Sequence, residues 1–157
     1  MKQTAVIFLA SLVLASPALA QDWGSDYNMG SIGVLGGNSA SGTISIDCAD
    51  AGNGVVEKGA LSIFLKPGAA SMIGSTSPGA LDFDVDGTTV SLPVDDNAGD
   101  GFVYEKTAAS LIDATALIDL LKGGKQLTVS AGTEQIAKIG LDGAAAALDG
   151  VEACLVP

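Results

Sequence analysis

The sequence predicts a single, mainly β domain with two short helices, an α+β chain. Three observations carry that expectation. Apolar residues make up 48% of the chain but aromatic residues only 4%, and 21 glycines punctuate it, which suits a core of Val, Ile, Leu and Ala in short strands joined by turns. Several segments alternate apolar and polar residues with the period of a strand. The stretch from Ser110 to Cys154 then holds two Ala- and Leu-rich helical segments on either side of a strand pair. At 157 residues the chain has room for one well-filled core and not for two.

Residues 1–20 are expected to lie outside the fold. Lys2 gives a positive start, Ala5 to Ala15 is apolar but too short to span a bilayer, and Ala18 and Ala20 form the small-x-small pattern of a cleaved signal peptide. Cleavage is expected after Ala20, leaving residues 21–157 as one β-rich exported domain. No cysteine adjoins that site to accept a lipid, and no later stretch is long and apolar enough for a membrane span.

Composition narrows the chemistry. Seven basic residues, all lysine, face eighteen acidic ones, and His is absent. Such a balance disfavours nucleic acid and anionic lipid, which need a basic face. Without Arg the usual bidentate reader of phosphate is missing, and without His the commonest general base and zinc ligand is missing. The expectation is a protein that is not an enzyme and carries no cofactor.

The elements follow in order. Residues 21–41 are polar and rich in glycine around Trp23, Tyr27, Ile32, Val34 and Leu35; Gly30, Gly33, Gly36 and Gly37 do not fit a phosphate-binding loop, so turns and an edge strand are expected. That edge has the character of one able to pair with another chain. Thr43 to Cys48 follows, with Ile44, Ile46 and Cys48 on one strand face. Two cysteines in an exported chain predict one disulfide, here Cys48 with Cys154, pinning the last helix to the sheet. A turn at residues 49–54 leads to a strand with Leu61, Ile63 and Leu65 inward, stopped at Pro67 and Gly68, and a loop to residue 80 that has only Met72 and Ile73 to bury.

The acidic segment from Asp82 to Asp100 is where a metal site has to be weighed. Asp82, Asp84, Asp86 and Gly87 open like a calcium loop, but its twelfth position holds Pro93 instead of a bidentate Glu. A hairpin accounts for the same residues: Asp86 and Gly87 make the turn, Val85 meets Thr88, Phe83 meets Val90 and Leu81 meets Leu92. Asp95, Asp96, Asn97 and Asp100 form a second acidic loop, a candidate for weak Ca²⁺ binding, against the plainer reading of a polar turn before Phe102 and Tyr104.

Next, Ser110 is placed to cap a helix with Asp113 in its first turn, Leu117, Ile118, Leu120 and Leu121 on its apolar face, and Gly123 or Gly124 at its end. Leu127, Val129 and Ala131 alternate along a strand, Gly132 and Thr133 turn, and residues 136–141 return. Asp142 is expected to cap a final helix with Ala144 to Ala147, Leu148 and Val151 inward.

This order, a leader, a strand ending in Cys48, the Leu61, Ile63, Leu65 strand, a glycine-stopped helix, a strand pair, then Leu141, Gly143, Ala147 and Leu148 before Cys154, resembles the small exported proteobacterial proteins related to the invasion-associated locus B family. The resemblance is strongest over residues 120–129 and 141–154. It implies a periplasmic or secreted antiparallel β-sandwich and transfers no catalytic residue. Three functions remain: a noncatalytic periplasmic or secreted module that binds a protein partner, an envelope protein among the candidates, or supports the cell envelope, which leads; a calcium or small-ligand binder using the Asp82 to Asp100 region; and a glycan hydrolase using carboxylates such as Asp82 or Glu105, disfavoured by one Trp and two Tyr.

Overall fold

Alternation of apolar and polar side chains builds two antiparallel sheets. The computed structural model describes residues 23–51, 56–71, 78–97 and 99–156. The expected leader, its cleavage site, and Met72 and Ile73 lie outside the described residues. The strands are β1 (Trp23–Asn28), β2 (Ser31–Asn38), β3 (Gly42–Cys48), β4 (Leu61–Lys66), β5 (Ala80–Val85), β6 (Thr88–Pro93), β7 (Asp96–Asn97), β8 (Phe102–Glu105), β9 (Gln126–Ala131) and β10 (Glu134–Gly140). One sheet runs β1-β2-β3-β4-β8-β7 and the other β10-β9-β5-β6. The fold class expected from the sequence is the one observed.

The inward faces supply one shared core. Ile44, Ile46, Leu61, Ile63 and Leu65 of the first sheet and Leu81, Phe83, Leu127, Val129 and Ile139 of the second belong to a single buried cluster. Burying each such side chain stabilises the fold by about 1.5 to 3 kcal/mol. The space left between the sheets, beside Ile63, Phe83, Leu92 and Phe102, is about 10 Å³, on the order of a single water. That gap is too small to hold an organic ligand.

Helix α1 (Leu111–Gly123) packs on β5 and β6, α2 (Ala144–Ala147) packs on β1 and β2, and the two helices touch each other. A final 3₁₀ turn, Val151–Cys154, packs on β3. There Cys154 is bonded to Cys48 across 106 residues, with Cα atoms 5.7 Å apart and both side chains fully buried. The disulfide therefore ties the tail to the centre of the first sheet, as the sequence led us to expect.

Two helix starts differ from expectation. Ser110 stands at the N-cap of α1, but its hydroxyl makes no capping bond. It lies instead 2.9 Å from the Tyr104 hydroxyl and accepts from the Thr107 amide, so a buried polar group is satisfied by the preceding turn. Asp142 does not cap α2: Gly143 occupies that position at φ 87, a left-handed conformation that glycine adopts without steric cost. The last helix is accordingly one turn long, and after Gly150 the chain closes in the 3₁₀ turn.

The β5–β6 hairpin has the expected register, Val85 opposite Thr88, Phe83 opposite Val90 and Leu81 opposite Leu92. Asp86 and Gly87 sit at φ 50 and 92, the two left-handed positions of a type I′ turn. Asp84 fastens that turn by accepting from the Gly87 amide and the Thr89 hydroxyl. Its carboxylate is structural, on the outward face of the sheet.

Candidate functional site

The two sheets end in outer strands that are treated very differently. Strand β10 turns alternate backbone groups away from β9, and three of them meet partners from the first half of the chain. The Ile136 carbonyl accepts from the Gly68 amide, the Lys138 amide donates to the Ser41 carbonyl, and the Gly140 carbonyl accepts from the Trp23 indole N–H at 2.7 Å. A bulge at Ile136 bends the strand, and both Ile136 and Ala137 are buried. The edge is closed. The outer strand of the same sheet's other side, β6, ends in Pro93, which has no amide to offer, and packs against α1.

Strand β1 is packed on by α2, but among the described residues neither a proline nor a loop backbone bond meets its outer side. It pairs with β2 from Trp23 opposite Gly36 to Asn28 opposite Ser31. A two-residue hairpin makes Asn28 and Ser31 the hydrogen-bonded pair, so alternation turns the backbone groups of Ser25 and Tyr27 outward. Among the described residues no backbone hydrogen bond reaches them from elsewhere in the fold. Neither Lys nor Pro interrupts Gly24 to Asn28, the residues that usually blunt an exposed edge.

The turn at the end of this edge is also unusual. Met29 and Gly30 occupy φ 50 and 83, the same type I′ geometry as Asp86 and Gly87, but methionine is not a residue that favours a left-handed backbone. Its side chain is 77% exposed, and that of Tyr27 61%. The Asp50 carboxylate facing the Tyr27 hydroxyl, first by hydrogen bonding and then through partial burial and its charge, holds the phenol above its ordinary pKa. The aromatic ring stays open to solvent.

Beside the edge, the outward face of the first sheet is acidic. Register places Asp26, Gly33, Asp47, Ser62 and Glu105 in one row across β1, β2, β3, β4 and β8. Gly33 has no side chain to fill its place in that row. A Cβ there would stand 2.9 Å from Asp26 Oδ1 and 3.6 Å from Asp47 Oδ1, so the two carboxylates lean over the same point. One residue pair further along, Gly24 lies opposite the exposed Leu35. The row continues into a shallow depression of about 610 Å³ bordered by Asp47, Glu57, Ser62, Glu105 and Lys106. Lys106 is directed to the tail, where its ammonium donates to the Cys154 and Val156 carbonyls.

The candidate metal residues are not gathered into a cage. Asp96 and Asn97 form β7 against β8, an element the sequence did not announce. Asp95 accepts from the Glu105 amide at 2.7 Å, Asp96 accepts from the Asn97 amide at 2.7 Å, and Asp100 is paired with Lys66. Lys66, by hydrogen bonding and charge, holds the Asp100 carboxyl below its ordinary pKa. Among the described residues no group of three His, Cys, Asp or Glu is arranged to hold a metal ion. Asp82 and Glu105, weighed as hydrolytic carboxylates, stand on the outward faces of different sheets, so they do not face each other across a cleft. Among the described residues no helix is long and apolar enough to cross a membrane.

A family model described as YfjT matches residues 21–148. The chain belongs to the YfjT family. The match covers both sheets, α1 and α2, and stops before Cys154, so the disulfide of this YfjT-family chain joins a cysteine inside the matched region to one beyond it. No curated protein and no solved structure matches the chain.

Proposed function

We propose that this YfjT-family chain is a noncatalytic, exported module that binds a protein partner by accepting an extended segment along the β1 edge. The observation that carries the reading is the contrast, among the described residues, between two of the outer strands: β10 is met by Gly68, Ser41 and Trp23, whereas Ser25 and Tyr27 keep outward backbone groups beside an exposed Tyr27 and Met29. Strand addition satisfies such groups with main-chain hydrogen bonds, and neighbouring side chains give specificity.

Export, to the periplasm or outside the cell, is supported by the signal-peptide pattern in residues 1–20, by a family match that starts at residue 21, and by a buried disulfide suited to an oxidising compartment. The likeness to the invasion-associated locus B proteins favours an envelope partner.

Site-directed photo-crosslinking tests this in cells. A photoreactive residue at Ser25 is expected to yield a discrete adduct that the same residue at Ser91, on the outward face of the other sheet, does not. Equal adduct patterns from both positions, or none from Ser25, refute the reading.

A further inference from the structure

Resting on the strand-addition reading, we infer that the β1 edge selects extended segments carrying a Lys or Arg and an apolar residue two positions apart on the same face. The inference comes from what the outward side of the first sheet presents to an added strand.

Side chains on that side of β1 belong to Gly24, Asp26 and Asn28, alternating with Trp23, Ser25 and Tyr27 on the other. Because Ser25 and Tyr27 offer the outward backbone bonds, Asp26 and Gly24 fall at the non-hydrogen-bonded positions of the new pairing, where facing side chains approach most closely. The partner residue opposite Asp26 meets Asp26 at once. Behind it lies the gap above Gly33, into which Asp26 and Asp47 both direct carboxylate oxygens. That gap is two strand spacings from the incoming backbone, about 10 Å, a distance covered by a Lys or Arg stem plus one hydrogen bond and not by a short side chain. Among the described residues, the ion pairs are Lys66 with Asp100 and Lys122 with Glu152, so no lysine of the fold neutralises this carboxylate pair.

Two residues along the partner strand, the position opposite Gly24 is different. Gly24 has nothing within 4 Å of where a Cβ would stand, and across it lies Leu35, 57% exposed. An apolar side chain laid over Gly24 therefore buries itself against Leu35. The formal charge of −11 favours encounter with a cationic segment and disfavours a second copy of the same chain, since like charges raise the cost of close approach.

The probe is a capped ten-residue peptide of alternating threonine and valine, with one leucine and one lysine placed two residues apart on one face. Its control carries glutamate in place of the lysine. Both are titrated by calorimetry and amide NMR into the mature, oxidised protein. The lysine peptide is expected to shift the Ser25 and Tyr27 amides and to bind about tenfold more tightly than the glutamate peptide at low salt. The double variant Asp26→Asn and Asp47→Asn is expected to erase that difference while leaving the amide shifts in place. Ser25→Pro, which removes only an outward amide, is expected to abolish binding of both. Equal affinity for the two peptides, with edge shifts retained, overturns the charge selection and leaves strand addition standing. Unshifted Ser25 and Tyr27 amides with either peptide, or a concentration-dependent self-association through β1, overturn both.

Discussion

Breaking the Cys48–Cys154 bond is expected to cost this fold more than any single side-chain truncation. The bond closes a loop with a sequence separation of 106, and the loss of chain entropy in an unfolded loop of that size corresponds to about 4.8 kcal/mol at room temperature. A small domain is stable by only about 5 to 15 kcal/mol, so one covalent link supplies a third or more of the margin. For a domain of this length each kcal/mol moves the melting temperature by roughly 3 to 5 °C, giving an expected fall of about 14 to 24 °C. The assay is thermal unfolding followed by far-UV circular dichroism, oxidised protein against protein held in reductant. The double variant Cys48→Ala and Cys154→Ala serves as a second arm. It lacks two buried sulfurs as well, so its midpoint is expected a few degrees below that of the reduced protein. A drop smaller than about 5 °C on reduction would show that the tail is held by packing of the Val151–Cys154 turn on β3 and by the Lys106 hydrogen bonds, and the entropic argument would fail.

Four further outcomes follow from particular contacts. Trp23→Phe leaves the Gly140 carbonyl without its indole donor and is expected to cost about 1 to 3 kcal/mol in urea unfolding; no change would mean that the β10 edge does not depend on this bond. Met29→Asn replaces a poorly suited left-handed residue and is expected to stabilise the protein by about 0.5 to 1 kcal/mol while weakening capture of a partner segment, so a variant that gains both properties counts against a contact role for Met29. Asp100 and Glu152 have pKa values held below the ordinary carboxylate range, mainly by hydrogen bonds from Lys66 and Lys122; stability from these pairs is present above about pH 4.5 and is lost as pH falls through the lowered folded values. Urea midpoints should therefore fall from pH 5 to pH 3 less steeply in Lys66→Ala and Lys122→Ala than in the parent, and parallel profiles would remove the pairs as a cause. Calcium titrated to millimolar concentration is expected to give no heat, because Asp95, Asp96 and Asp100 already serve the Glu105 amide, the Asn97 amide and Lys66; saturable heat lost on Asp100→Asn would reinstate the acidic loop as a site.

The parts of the fold that were legible in the sequence are those where one local rule decides the outcome. Alternation placed Ile44, Ile46 and Cys48, then Leu61, Ile63 and Leu65, on buried faces. Asp86 and Gly87 announced their hairpin because both residues suit the backbone they adopt. What escaped is where local preference and tertiary demand diverge. Met29 and Gly30 make the same turn as Asp86 and Gly87, yet Met carries no turn signal, so two strands read as one edge strand with turns. Asp142 has good capping chemistry, but Gly143 next to it takes the cap position first. Ser110 was correctly placed and wrongly employed, since its hydroxyl answers the buried Tyr104 before the helix amides. The pairing of β7 with β8 is two residues long and leaves no periodic trace. The acid pair over Gly33 was beyond reach for another reason: Asp26 and Asp47 are 21 positions apart, and only the strand register brings them to one point.

That last case explains why the edge strand is the more informative feature than any acidic run in the chain. Acidic residues in this sequence are plentiful, and most have ordinary structural tasks: Asp84 fastens a turn, Asp86 accepts from the Lys125 amide, Asp95 from the Glu105 amide. Asp26 is set apart by position. It lies on a strand whose neighbour on one side is β2 and whose other side is open, next to a glycine that leaves its carboxylate room to lean toward Asp47. Among the described residues the sandwich meets β10 with a tryptophan indole and two loop contacts, ends β6 in Pro93, and ends β1 in a left-handed Met29 turn with neither device. Unpaired strand edges invite pairing with another chain, which is the physical basis of the strand-addition proposal and of its crosslinking test.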